Sequence, residues 1–148
     1  MRLRGSLLLG TSLCALSLRA MGPAYADCAA GDGQLTSPGT CATPQTLTAP
    51  TGVVSAGATL TAGYSIAKNN ATLTNAGSLV GGLVQQEPGA TVVNTGVIGA
   101  ITSIGDLNLI NTGTIAVQNG TAITLSASTL SISGGGVVKG DSYGDSVQ

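Results

Sequence analysis

Few residues in this sequence could carry out catalysis, and none of them stands in a recognised catalytic pattern. The chain has no histidine, so neither a Ser–His nor a Cys–His nucleophile can be assembled. The segment Gly63-Tyr64-Ser65-Ile66-Ala67 departs from the G-x-S-x-G pattern at its last position. Glu87 and Asp106 could stack one repeat apart, but each stands in a turn, where solvated acids are common. We therefore predict no catalytic residues and no enzyme.

Two of the three cysteines, Cys28 and Cys41, are the next candidates for chemistry, because Cys14 lies within the predicted signal peptide. An even pair of cysteines in an exported protein is most simply a disulfide, because thiols outside the cytoplasm are not kept reduced. The alternative is a pair of free or metal-bound thiols, but the chain has no histidine to complete a zinc site. The glycine–aspartate run at 140–145 lacks the tandem pattern of calcium repeats, and we interpret it as a polar tail. We expect no metal and no cofactor.

The export that this argument assumes is indicated by the first 26 residues. Arg2 and Arg4 precede an apolar stretch at 7–18, and Ala24-Tyr25-Ala26 matches the A-x-A pattern for cleavage before Asp27. The apolar stretch is too short for a bilayer, which needs roughly 20 residues, so we expect no transmembrane helix in the mature chain. The alternatives are a membrane anchor, a core helix or a lipoprotein. The predicted location is periplasmic, secreted, or associated with the outer membrane or cell surface.

The charge of the predicted mature chain argues against one class of partner. After residue 26 the chain keeps two lysines and six acidic residues, a net charge of −4. Nucleic-acid binders need a basic patch that neutralises phosphates, so we expect no nucleic-acid partner. The charged residues are Asp27, Asp32, Lys68, Glu87, Asp106, Lys139, Asp141 and Asp145.

An internal repeat is the most informative feature of the sequence. Asn75, Asn94 and Asn111 each follow a β-branched or aliphatic run, and Ser133 takes the same place in a degenerate fourth copy. A faint earlier copy begins at Ser55. Glycine stands two places after each of the four clear positions, and an apolar residue stands four places after: Gly77, Gly96, Gly113 and Gly135, then Leu79, Ile98, Ile115 and Val137.

This spacing predicts a coil of short parallel strands. Asn and Gly tolerate the left-handed backbone of tight corners, and the aliphatic runs suit a pleated, half-buried surface. Repeats of ~20 residues would form rungs that hydrogen-bond in parallel, with Asn75, Asn94 and Asn111 in a ladder of side-chain amides. A disordered linker is the first alternative, although disorder requires low hydrophobicity and high net charge. A small antiparallel sandwich is the second.

The domain organisation follows from these patterns. The fold class is all-β, a β-solenoid of about four to five short rungs after a signal peptide. We assign residues 1–26 to the signal peptide, 27–52 to an N-terminal lead-in or cap with the disulfide, 53–140 to the repeats and 141–148 to the polar tail. In the lead-in we expect turns and one short strand.

A signal peptide followed by N-[TA]-G-x-[IVL] units resembles the N-terminal part of a bacterial autotransporter passenger domain, over residues 53–140 and the export signal. The resemblance implies a right-handed parallel β-helix displayed at the cell surface, where adhesion or self-association is the common role. With no Phe, no Trp and three Tyr, the chain is expected to lack the translocator β-barrel and to be an N-terminal fragment. The alternative function is a truncated structural stem of a longer autotransporter, with no independent activity.

Overall fold

The computed structural model describes Cys28, residues 31–126 and residues 129–140, and every regular element in these ranges is a β-strand. The strands are short because the chain turns a corner every few residues. In chain order they are β1 Gln34–Leu35, β2 Gly39–Cys41, β3 Gln45–Leu47, β4 Thr51–Val54, β5 Ala58–Leu60, β6 Tyr64–Ile66, β7 Thr72–Asn75, β8 Ser78–Leu79, β9 Leu83–Gln85, β10 Ala90–Asn94, β11 Val97–Ile98, β12 Ile101–Ser103, β13 Leu107–Asn111, β14 Thr114–Ala116, β15 Ile123–Leu125, β16 Leu130–Ser133 and β17 Val137–Lys139.

Three parallel sheets form the walls of a solenoid. Every third strand joins the same sheet: sheet one has the order β1-β4-β7-β10-β13-β16, sheet two β2-β5-β8-β11-β14-β17, and sheet three β3-β6-β9-β12-β15. Each coil therefore contributes one strand to each wall. The described residues form five complete coils, and β16 with β17 belongs to a sixth. The prediction of an all-β parallel solenoid with four to five rungs is confirmed.

Alternating burial explains why these sequences form strands. In β10, residues 90, 92 and 94 are buried while Thr91 and Val93 lie on the outer surface. Since side chains alternate between the two faces of a strand, each coil places like residues above one another in the interior. The inner column of sheet two is apolar through five complete coils: Cys41, Leu60, Leu79, Ile98 and Ile115.

The outer surface of the walls is β-branched or hydroxylated and nearly uncharged. On sheet two the outward column reads Thr40, Thr59, Ser78, Val97 and Thr114. Charged side chains in the described ranges are confined to the corners and to the last strand, as Asp32, Lys68, Glu87, Asp106 and Lys139. Neighbouring coils are therefore joined by backbone bonds and interior packing, with little electrostatic contribution.

The first coil begins earlier than the repeat pattern predicted. We expected a lead-in to residue 52 with one short strand, but β1, β2 and β3 already pair in register with β4, β5 and β6. The first two coils lack the Asn-x-Gly corner, so that motif does not reveal them in the sequence. The faint copy is also displaced by one residue, because Val54 pairs with Asn75, and Ser55 lies in the corner.

The fourth copy is shifted by one residue as well. Ile110 pairs with Ser133, so Gly134 follows Asn111 in the ladder column and Ser133 faces outward. In the same way Val138, not Val137, continues the column of Ile115. The repeat pattern in the sequence aligns Ser133 with the three asparagines, whereas the backbone register places Gly134 in their column.

Some sequence-based predictions fall outside the described residues. These are the signal peptide at 1–26, the cleavage site before Asp27 and the polar tail at 141–148. Among the residues that are described, no helix is long and apolar enough to cross a membrane.

Candidate functional site

The three repeated asparagines form a continuous ladder in the interior of sheet one. The Nδ2 group of Asn75 donates to Oδ1 of Asn94 at 2.7 Å, and Nδ2 of Asn94 donates to Oδ1 of Asn111 at 2.8 Å. All three side chains are buried. Each Nδ2 also donates to a backbone carbonyl of the following coil, namely that of Val97, Thr114 or Val137. At this corner, the ladder therefore joins each coil that carries one of these asparagines to the coil that follows it.

The ladder has a direction and two ends. Every amide in it donates toward the C-terminal coil, and Asn94 and Asn111 accept from the asparagine of the coil before. Oδ1 of Asn75 has no hydrogen-bond partner, because the residue below it in the column is Val54, which has no donor on its side chain. At the other end the column passes from Asn111 to the side-chain-free Gly134. A buried polar atom without a hydrogen-bond partner lowers the stability of the fold, so Oδ1 of Asn75 is the weak point of the ladder.

A second buried polar contact was not foreseen from the sequence. Oγ of Ser103 donates to Oε1 of Gln85 at 2.9 Å, and Nε2 of Gln85 donates to the carbonyls of Glu87 and Asp106 at 2.8 Å each. Gln85 thereby closes the corners of two successive coils. Its signal in the sequence is the spacing between Gln85 and Ser103, which matches one repeat.

The corner glycines are required by the close approach of successive coils. A Cβ atom on Gly77, Gly96 or Gly113 would meet a backbone carbonyl oxygen of the coil before: that of Ala58, Gly77 or Gly96, respectively. The prediction for the fourth corner was wrong by one residue. A Cβ on Gly135 would meet nothing within 4 Å, whereas one on Gly136 would meet the carbonyl of Gly113.

The N-terminal end of the coil stack is covered by Cys28 and residues 31–33, here called the N-terminal cap. Cys28 is joined to Cys41 by a disulfide, with 5.8 Å between their Cα atoms, and packs against the apolar core. The carbonyl of Gly31 accepts a hydrogen bond from the backbone N–H of Thr46 in β3. The cap thus satisfies a backbone donor that would otherwise point out of the first coil.

The side chain of Gln34 completes the same end of sheet one. Strand β1 has two residues, while its neighbour β4 has four, so part of the edge of β4 has no backbone partner in β1. Nε2 of Gln34 donates to the carbonyl of Thr51 at 2.8 Å, and the N–H of Val53 donates to Oε1 of Gln34 at 3.1 Å. A side-chain amide here replaces a peptide group.

Tyr64 fastens the cap from inside. Its hydroxyl donates to the carbonyl of Gly33 at 2.7 Å, and its ring is fully buried. A Cβ on Gly33 or on Gly52 would lie 2.7 Å from this hydroxyl, so the two glycines provide the space that the ring occupies. Burial raises the pKa of the Tyr64 phenol well above its usual range, and the Asp32 carboxylate raises it further. The hydroxyl therefore stays protonated and remains a donor.

The C-terminal coil, consisting of β16 and β17, differs sharply from this closed end. Ile132 occupies the inner column of Leu109, which is fully buried, yet 44% of the Ile132 surface is exposed. Leu130 and Val138 also continue buried columns and are only partly covered. In the described ranges, the inner layer of the solenoid is therefore open at this coil.

The acidic residues considered for catalysis lie at one corner of the solenoid. Glu87 and Asp106 occupy the turns that lead from sheet three back to sheet one, and the N–H of Gly89 donates to the carbonyl of Asp106. Oδ1 of Asp106 accepts from the N–H of Thr129, which gives this carboxylate a role in the turn. Within the described ranges, no group of three or more His, Cys, Asp or Glu residues could hold a metal ion.

An open groove of about 550 Å³ runs along the corner between sheets two and three. Val80, Val97 and Val117 are among the residues that line it. Its lining is apolar apart from Gln118 and contains no ionisable side chain.

The described chain therefore offers two contrasting ends, a closed N-terminal one and an open C-terminal one, as its most specific features. The residues that matter there, Gln34, Tyr64 and Ile132, lie outside the Asn-x-Gly motif and were missed by the sequence analysis. No known protein family, no curated protein and no solved structure matches the chain.

Proposed function

We propose that this chain is an exported, non-catalytic, passenger-type β-helical module that acts by self-association or adhesion. Export rests on the pattern of residues 1–26, and the predicted location is the periplasm, the medium or the outer surface of the cell. The observation that carries the proposal is the open inner layer at the C-terminal coil. An exposed edge of paired strands with apolar inner residues is a template for a further strand.

Self-association is the form of this function that the geometry supports best. The strands of the C-terminal coil present backbone groups on the side away from the fifth coil, and Ile132 and Val138 extend the core columns. Natural solenoids protect such ends with polar residues. Lys139 is the one charged residue in β16 and β17, which gives little electrostatic protection against another copy.

The decisive test is a matched pair of lysine substitutions. Ile132 and Val97 are exposed to 44% and 43%, but Ile132 lies in an inner column of the open end and Val97 on the outer wall. Ile132→Lys places a charge where a second copy would pack, so association should weaken by about tenfold or more, equivalent to ~1.4 kcal/mol. Val97→Lys should leave it unchanged. Sedimentation of the full chain over a range of concentrations measures both.

Two results would contradict self-association through this end. The first is an unsubstituted chain that stays monomeric at every concentration, and the second is an equal effect of the two lysines. Circular dichroism must show that both variants keep their strands, so that loss of fold is not mistaken for loss of contact.

A monomeric chain would favour the second candidate, a structural stem of a longer passenger with no activity of its own. The observation behind it is that β16 and β17 keep full parallel register with β13 and β14. A coil in full register is equally a platform for further coils.

A further inference from the structure

The two ends of the solenoid are complementary in shape once the N-terminal cap is set aside. In a continued stack, the first coil of a second copy would lie on the C-terminal coil of the first. By extension of the register of sheet one, the residue that would follow Gly134 in the ladder column is Leu35, which pairs with Val54. On sheet two, Cys41 would follow Val138. A large residue at one end thus meets the smallest residue at the other.

The N-terminal cap occupies the space that such a second copy would need. Cys28, bonded to Cys41 with 5.8 Å between their Cα atoms, lies beside β2, the strand with which a neighbour's β17 would pair. The carbonyl of Gly31 accepts the hydrogen bond of Thr46 N–H in β3, which holds the cap against the wall formed by sheet three. On sheet one, Gln34 fills the edge of β4 with its own side chain.

A coil stack with one closed end and one open end, as formed by the described residues, has a limited choice of assemblies. Contact between two open ends uses the same surface on both copies and closes after two, whereas contact of an open end with an N-terminal end repeats without limit and gives a filament. The cap blocks the second arrangement and leaves the first.

We propose that the disulfide-fixed N-terminal cap is a stopper that prevents head-to-tail stacking of this chain, and that the first coil beneath it is the acceptor for the C-terminal coil of a second copy. This inference rests on the proposed self-association. With the Cys28–Cys41 bond in place, copies join in closed pairs. Without it, the cap separates from the first coil and copies stack into linear filaments.

The test removes the bond together with both of its cysteines. The double variant Cys28→Ser with Cys41→Ala, made in the chain from Asp27 onward so that Cys14 is absent, cannot cross-link, and alanine at the fully buried position 41 introduces no polar group. Its weight-average mass should exceed that of the disulfide-bonded chain by about tenfold or more at equal concentration, because an open-ended contact does not close. Fibre diffraction should show a repeat of about 4.8 Å along the filament. Adding Ile132→Lys to the double variant should abolish the filaments.

A second measurement uses the unsubstituted chain and its own disulfide. A dithiol reductant transfers two electrons, converts Cys28 and Cys41 to thiols and becomes a cyclic disulfide itself. Light scattering should rise on reduction, while circular dichroism should keep its β signal. An oxidised chain that already forms filaments would overturn the stopper.

The outcomes separate this inference from the proposed function. Pairs in the disulfide-bonded chain with no growth in the double variant would refute the stopper and leave self-association standing. A monomeric disulfide-bonded chain whose double variant forms filaments would refute pairing through two open ends and keep the stopper. Unfolding of both the double variant and the reduced chain would show that the bond acts on stability alone, which also overturns the inference.

Discussion

Removing single amides from the asparagine ladder should give a graded loss of stability that depends on position. Asn94 is the central member: its Oδ1 accepts from Asn75 and its Nδ2 donates to Asn111. Asn94→Ala leaves one N–H of Asn75 and Oδ1 of Asn111 without these partners. Each buried group left unpaired costs ~1–3 kcal/mol, so the free energy of unfolding should fall by about 2–6 kcal/mol.

The same substitution at the end of the ladder should be much milder. Oδ1 of Asn75 has no partner in the native protein, so Asn75→Ala removes one unsatisfied group while it creates another at Oδ1 of Asn94. These two polar effects offset each other, and the remaining loss is that of the Nδ2 bond to the carbonyl of Val97 and of a small cavity. Asn111→Ala should fall between them, because it orphans one N–H of Asn94 and removes the Nδ2 bond to Val137. The expected order of destabilisation is Asn94, then Asn111, then Asn75.

Urea unfolding followed by circular dichroism measures this order. The slope of each unfolding curve should be compared as well, because coil stacks can lose their all-or-none behaviour when one interface is weakened. If the Asn94 and Asn75 variants differed by less than ~0.5 kcal/mol, which is the usual scatter of such comparisons, the amides would not act as a directional ladder.

Two further predictions concern the corners and the cap. Gly96→Ala should lower the free energy of unfolding by ~1–3 kcal/mol, because the new Cβ meets the backbone carbonyl of Gly77. As the control, Gly63→Ala places a Cβ that meets nothing within 4 Å, so it should be neutral or stabilising by ~0.4–1 kcal/mol. Equal effects of the two substitutions in a thermal melt would contradict the argument that successive coils approach too closely for a Cβ at position 96. Tyr64→Phe should cost ~1–3 kcal/mol by leaving the carbonyl of Gly33 unpaired. Because burial raises the pKa of Tyr64, the native protein should keep its full stability below the ordinary tyrosine pKa of about 10 and lose it as the pH rises further, where the unfolded state ionises first. Tyr64→Phe should show a smaller loss over the same range, and identical pH profiles in chemical unfolding would argue against this account.

The repeat region could be predicted because its chemistry recurs at a constant backbone position. Asn75, Asn94 and Asn111 stand in one column with glycine two residues later, and the steric need for glycine there is the same in each coil. A periodic sequence signal therefore reflects a periodic physical constraint.

The first and last coils could not be predicted in the same way. Leu35 and Val54 occupy the ladder column of the first two coils, so the motif is absent although the register continues. In the last coil the backbone register selects Gly134, which carries no side chain to mark the column. The contacts of the N-terminal end depend on single side chains, Gln34 and Tyr64, and a feature that occurs once leaves no periodicity to detect.

The direction of the ladder bears on how the chain folds as it is made. Each coil pairs with its neighbours at a sequence separation of about one repeat, so a new coil needs only the coil before it to fold against. Synthesis delivers the N-terminal coils first. Asn75 and Asn94 donate toward the C-terminal coils. Each of these two coils, once folded, therefore presents an Nδ2 group that can donate to Oδ1 of the next asparagine. The first coil is then a natural nucleus, and the remaining coils add one at a time with their register already specified by the coil below.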